Sequence, residues 1–160
     1  SGAKPDATRH VDKQVQPIHI AASKGHAAVI EVLHLEGGAA LDTADGEGVQ
    51  PLHRAARAQR LDAVRTLLRL GAPANAAMVV TKPGGRQLER VTALLLAASK
   101  DWEAGARLLI EAGAAADRNV IKAAGGAVLA VLSERRAQLS PKCQEQLDAR
   151  LREAVSPART

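Results

Sequence analysis

Three stretches of the chain share one order of apolar and polar positions. Ile18, Ala21 and Ala22 are followed by Val29, Ile30, Val32 and Leu33, at helical spacing on either side of Lys24-Gly25-His26. That spacing predicts two short helices joined by a turn. Leu52, Ala55 and Ala56 and then Ala63, Val64, Leu67 and Leu68 repeat the pair, and Leu94, Leu96, Ala97 and Ala98 with Ala106, Leu108, Leu109 and Ile110 give a third. Each second helix runs into glycine, at Gly37-Gly38-Ala39, Gly71-Ala72 and Gly113-Ala114, as expected where a left-handed residue closes a helix.

The remaining segments depart from this pattern. Residues 77 to 91 stretch the third interval: Gly71 to Gly113 spans 42 residues, where a unit of this kind takes roughly 33. Val79-Val80-Thr81 is strand-like and Pro83-Gly84-Gly85 is turn chemistry, so the surplus predicts an elongated β-hairpin or finger loop. After Asp117, Val120, Ile121, Ala124, Val128, Leu129, Val131 and Leu132 keep helical spacing but are broken by Gly125-Gly126, which suggests a degenerate terminal unit. Ser140-Pro141 then offers a cap and first helical residue. Cys143, Leu147, Leu151 and Ala154 form one stripe of the last helix, before Ser156-Pro157 ends it. This helix is expected to fold back on the cap. Dimerisation through it is the alternative, and two apolar turns make a short seam for a coiled coil.

Within the repeats one motif recurs almost verbatim. Pro17-Ile18-His19-Ile20-Ala21-Ala22 returns 34 residues later as Pro51-Leu52-His53-Arg54-Ala55-Ala56, and again as Thr92-Ala93-Leu94-Leu95-Leu96-Ala97-Ala98. Asp45-Gly46-Glu47-Gly48-Val49-Gln50-Pro51-Leu52-His53-Arg54-Ala55-Ala56 and Leu67-Leu68-Arg69-Leu70-Gly71-Ala72 resemble the opening and close of an ankyrin repeat, with Gln50 where the family has Thr. Pro17 to His26 and Gly38-Ala39 fit another unit with one extra residue in its second helix. The third departs at Ala93, Leu95 and Asp101-Trp102. The resemblance covers residues 11 to 117. It implies an all-α, ankyrin-type solenoid with short β-hairpin loops and one elongated loop insertion. The expected division is a flexible tail at 1–10, repeats over 11–118 (11–44, 45–77 and 78–117, with the insertion at 77–91), and a helical cap at 119–157.

Composition fits a stack of closely packed helices. Hydrophobic residues make up 46% of the 160, yet the chain has no Phe, no Tyr and one Trp, so its core is Ala, Leu, Val and Ile. A formal charge of +5 makes acidic proteins, nucleic acid or anionic membrane possible partners. No base-stacking aromatics interleave with the Arg residues, which counts against nucleic acid. Cys143, the lone cysteine, cannot form an internal disulfide, so an intracellular (cytoplasmic or nuclear) protein is expected. The opening Ser1-Gly2-Ala3-Lys4-Pro5 lacks the apolar run of a signal peptide and suggests either a remnant of added sequence or an internal boundary. No apolar run approaches the roughly 18 residues that span a bilayer.

Catalytic chemistry finds no support. The sequence has no His-x-x-x-His pair and no second cysteine for a metal, no His and positioning group expected beside Cys143, and no Gly-Lys-Ser/Thr ending after Gly84-Gly85. No cofactor is expected. By resemblance to the family, His19 and His53 bridge backbone groups between units, and Gly38, Gly71 and Gly113 close helices. Partners in this family contact hairpin tips and first helices. Carried over position by position, those are Asp12, Lys13, Val15, Ser23 and Lys24; Glu47, Val49, Arg57 and Ala58; and, through the insertion and third unit, Lys82, Arg86, Ser99, Lys100 and Trp102. Cations outnumber anions in that set, which predicts a basic concave face selecting an acidic segment of another protein, with charge mainly steering the encounter. Trp102 is either a binding anchor or a wedge beneath the finger loop. The expectation is a monomeric, non-catalytic protein-binding module. The alternatives are the recognition domain of a larger enzyme or signalling protein, and a nucleic-acid surface.

Overall fold

The computed structural model describes residues 15–81, 84–85 and 88–155. The expected tail at 1–10, together with Asp12, Lys13, Lys82 and Arg86, lies outside the described residues. Four helix pairs follow one another: α1 (Pro17–Lys24) with α2 (Ala27–Leu35), α3 (Pro51–Arg57) with α4 (Leu61–Leu70), α5 (Ala93–Ser99) with α6 (Glu103–Glu111), and α7 (Arg118–Ala123) with α8 (Gly126–Glu134). Strands β1 (Ala77–Thr81) and β2 (Leu88–Thr92) stand between the second and third pairs, and a single 3-10 turn (Arg136–Gln138) leads into the last helix, α9 (Pro141–Val155).

Local chemistry explains the periodicity. Pro17 and Pro51 open α1 and α3 with φ already helical and no N–H to leave unpaired. The turn inside each of the first three pairs has one left-handed residue, which is Gly25 in the first (φ 78°), Gln59 in the second (φ 55°) and Asp101 in the third (φ 50°). It is closed by the same wide backbone bond each time: His26 N–H to Ala21 O, Arg60 N–H to Ala55 O and Trp102 N–H to Ala97 O, all at 2.9 Å. Gly38, Gly71 and Gly113 hold the left-handed close after the second helices. The extra residue expected in the first unit sits at the end of α2. Ala39 N–H reaches back to Leu33 O, whereas Ala72 and Ala114 reach Leu67 O and Leu109 O, one residue nearer in sequence.

First helices stack on first helices (α1, α3, α5, α7) and second on second (α2, α4, α6, α8), so each pair touches its neighbours along the stack. One apolar core runs without a break from Ile18 through Leu52, Leu67, Leu94, Leu109 and Ile121 to Leu147. Its side chains are short, and Ala22, Ala55, Ala56, Ala97 and Ala106 are fully or almost fully buried, which lets the helices approach closely. The last helix folds back on α7 and α8, burying Cys143 and Leu147. Arg136 fixes it by two bonds to Asp148 (2.8 and 2.6 Å), and Arg150 donates to Ala124 O (2.6 Å). Leu151 packs against the same core, while Ala154 is exposed.

The surplus residues of the third interval form the antiparallel hairpin β1–β2, paired in register from Ala77 opposite Thr92 to Thr81 opposite Leu88. Met78 and Val91 face each other across it and close over Val49 from the preceding loop, a small second core that Val80, Leu95 and Leu96 flank.

Candidate partner-binding surface

The loops and first helices that would meet a partner are held by side chains buried behind them. His53 shows the pattern. Its Nδ1 accepts the Gln50 N–H (3.2 Å), so Nε2 carries the proton and donates to Ala76 O (3.0 Å) at the entry to β1. The imidazole is therefore neutral and ties the start of α3 to the following loop. Burial pushes its pKa below the ordinary histidine value, and the Arg57 charge adds to the depression. His19 makes the equivalent bonds to Gln16 N–H (3.1 Å) and Thr43 O (3.0 Å). Both histidines thus bridge backbone groups and leave no nitrogen free for proton transfer. The third unit has Leu95 at this position. There Thr92 caps α5 by accepting the Leu95 N–H (3.1 Å), and the leucine packs against the hairpin core instead.

In the loop before α3, Asp45 is the anchor. Its buried carboxylate accepts N–H bonds from Glu47 (2.9 Å) and Val49 (3.0 Å) and pairs with Arg54. Burial opposes its ionisation, but the Arg54 bond and the two backbone bonds outweigh that and hold the pKa below the usual carboxylate value.

The side chains expected to meet a partner divide into three groups. Lys24, Arg57 and Lys100 are exposed. Lys24 and Arg57 are the last residues of α1 and α3, and Lys100 directly follows α5, so three cations mark the C-terminal ends of three successive first helices, where the helix dipole favours positive charge. Glu47 and Ala58 are also exposed, and Val15 is half-buried at the entry to α1. Ser23 and Ser99 turn back on their own helices, bonding Ile20 O and Leu96 O at 2.9 Å. Val49 is placed differently from the sequence expectation: it is only 3% exposed beneath Met78 and Val91, so its side chain presents no surface to a partner.

Trp102 is half-buried against the main core at the start of α6. A Cβ at Gly105 would collide with its indole, so glycine one turn on makes the seat for the ring.

Three side-chain contacts add to those expected from the sequence. Asp101 accepts the N–H groups of Val128 (2.9 Å) and Ala127 (3.2 Å), capping α8 of the next pair, and a Cβ at Gly125 would strike that carboxylate. Asn75 donates to Gly113 O (3.0 Å) and accepts from Ala115 N–H (2.7 Å), stapling the loop after α4 to the loop after α6. Asp101 stands where the first unit has Gly25, a departure from the repeat, while Asn75 keeps the short acid or amide that the other units carry as Asp42 and Asp117. His34 makes the third contact, bonding Ala39 O at 2.7 Å beyond its own helix. No group of metal-ligating side chains occurs among the described residues, and among them no helix is long and apolar enough to cross a membrane.

The family model described as ankyrin repeats in three copies matches residues 1–78. That match covers just under half of the chain, and the helical stack beyond it keeps the same solenoid fold. A solved structure, the human ASB11 ankyrin repeat domain, superposes with a TM-score of 0.54 at 22% identity, covering 85% of this chain and 54% of that one. The chain thus spans about half the length of that domain, and the likeness is one of fold. A search of curated proteins finds no match. Ankyrin repeats are generally protein–protein interaction modules and generally not catalytic.

Proposed function

We propose that this chain is a non-catalytic module that binds an acidic segment of another protein across the ends of its first helices. The observation that carries this reading is the row of exposed cations Lys24, Arg57 and Lys100, one from each of three successive pairs. An extended chain with carboxylates spaced to the step of the stack would meet one cation per pair, and charge complementarity of that kind fixes register and speeds encounter. Lys13, Lys82 and Arg86 add to the positive charge in sequence, and Trp102, half-buried beside Lys100, offers an apolar edge. The fold of α9 onto α7 and α8 supports a monomer, because the stripe that would pair two copies is used within the chain. The single unpaired cysteine, Cys143, supports an intracellular location.

Trp102 is the only tryptophan, so its fluorescence reports binding directly. Titration with a glutamate-rich peptide should give saturable binding that weakens with salt and is lost in the triple variant Lys24→Glu, Arg57→Glu, Lys100→Glu. An uncharged glutamine counterpart should not bind. Equal affinity for both peptides, or an undiminished triple variant, would refute the assignment.

A further inference from the structure

The two ends of the stack are chemically unlike. At the trailing end α9 covers the last pair. At the leading end three apolar side chains, Pro17, Val29 and Val32, stand exposed and a fourth, Val15, is half-buried. Val15, Pro17, Val29 and Val32 occupy the positions that Val49, Pro51, Ala63 and Thr66 hold in the second pair. There all four are buried, Ala63 at 0% and Thr66 at 6% exposure, whereas Val29 and Val32 are 46% and 52% exposed. The third pair repeats the buried pattern at Val91, Ala93 and Gly105, with Leu108 half-buried at the fourth position. On the second helices the neighbour is the pair before, since α2 contacts α4 and α4 contacts α6, whereas Val49 is covered by Met78 and Val91 of the hairpin. A terminal unit that ends a stack carries a polar outer flank. This one carries three valines, a proline and Ile20, of which Val15, Pro17, Ile20 and Val29, with Ala21, line a groove of about 370 Å³ edged by Lys24 and His26. Leu35, though exposed, aligns with the exposed Arg69 and lies off this flank.

We infer that the leading flank of α1–α2 is a stacking surface for one further ankyrin-type helix pair, docked by its trailing face in the same direction as the four pairs present. The interface it would make continues the one that already joins each pair to the next. The occupant needs a face of small apolar side chains with few charges, because Val29 and Val32 offer no hydrogen bond and no counter-charge. A copy of this chain cannot supply its own trailing face, which α9 covers.

The test extends the chain by replacing residues 1–10 with a second copy of residues 11–44. A docked pair should raise the thermal midpoint by roughly 5 °C or more and slow amide exchange in α1 and α2 at least about tenfold. Val29→Glu with Val32→Glu in the original pair should abolish both gains in the extended chain. In the unextended chain the same variant should leave the midpoint unchanged, since both side chains already face water. No gain on extension would overturn the inference, as would a gain that survives the glutamates. Dimerisation of the unextended chain at micromolar concentration, abolished by the same glutamates, would assign the flank to a second copy and overturn it as well.

Discussion

Asp101→Ala should destabilise the stack through a helix to which Asp101 does not belong. The carboxylate accepts the Val128 and Ala127 N–H groups at 2.9 and 3.2 Å, so the substitution leaves two first-turn donors of α8 without their acceptor. Loss of such a cap costs about 1 kcal/mol. Asp101 also sits at φ 50°, where aspartate is tolerated and alanine is strained by about 1 kcal/mol more. Together these give about 2 kcal/mol, or a fall in thermal midpoint of roughly 4–8 °C for a chain of this size. Two companion variants separate the causes. Asp101→Gly removes the cap but relieves the backbone, so it should cost roughly half as much as alanine; Asp101→Asn keeps an acceptor oxygen and tolerates the conformation, so it should cost least. Urea unfolding followed by circular dichroism gives the ranking, and amide exchange at Ala127 and Val128 locates the effect. If asparagine cost as much as alanine, the stabilisation would come from charge and not from the acceptor. If alanine cost nothing, the inter-unit cap would carry no free energy.

Two other substitutions probe the buried polar bridge and the hairpin core. Because His53 has a folded pKa below 6.5, the unfolded chain binds a proton that the folded chain refuses as pH drops below 6.5. Its contribution to stability is therefore complete above that pH and declines beneath it, by at most about 1.4 kcal/mol per pH unit. His53→Leu should flatten this part of the pH–stability curve measured by urea unfolding, and should cost about 1–3 kcal/mol at pH 7.5 by stranding the Gln50 N–H and Ala76 carbonyl; an unchanged slope would contradict the neutral bridge. Met78→Ala should remove about 2 kcal/mol from the hairpin core, seen as faster proteolysis within residues 77–92 with the main unfolding transition little changed, because Met78 packs in a cluster separate from the main core. Equal protection of the hairpin in the variant would show that Val91 alone closes over Val49.

The repeat architecture was legible because its determinants are local. Pro17 and Pro51 start helices, Gly71 ends one, and the alanine pairs mark a close contact whatever lies opposite. The hairpin was legible for the same reason, from valines on either side of a glycine turn. What sequence alone could not place were side chains whose partners lie far along the chain. Val49 looks like an exposed loop residue until Met78 and Val91, 29 and 42 positions later, close over it. Asp101 looks like a poor substitute for glycine in a turn until Gly125 brings α8 beneath its carboxylate. Asn75 bonds residues 38 and 40 positions away. Trp102 stood out as unusual, and its ring lies over Gly105 on its own helix, three residues on, a pairing that became meaningful only with the helix in hand.

The Met78–Val91 clamp over Val49 also changes what the insertion is mechanically. A loop fifteen residues long between two rigid supports samples many shapes, and a ligand that grips it must freeze them. Here the ladder from Ala77–Thr92 outward and the clamp at its second rung convert the base of that loop into a stiff stalk rooted in the second and third pairs at once. A partner touching the strands at this base would then meet a surface organised before contact, and would lose less entropy there than on an unpaired loop.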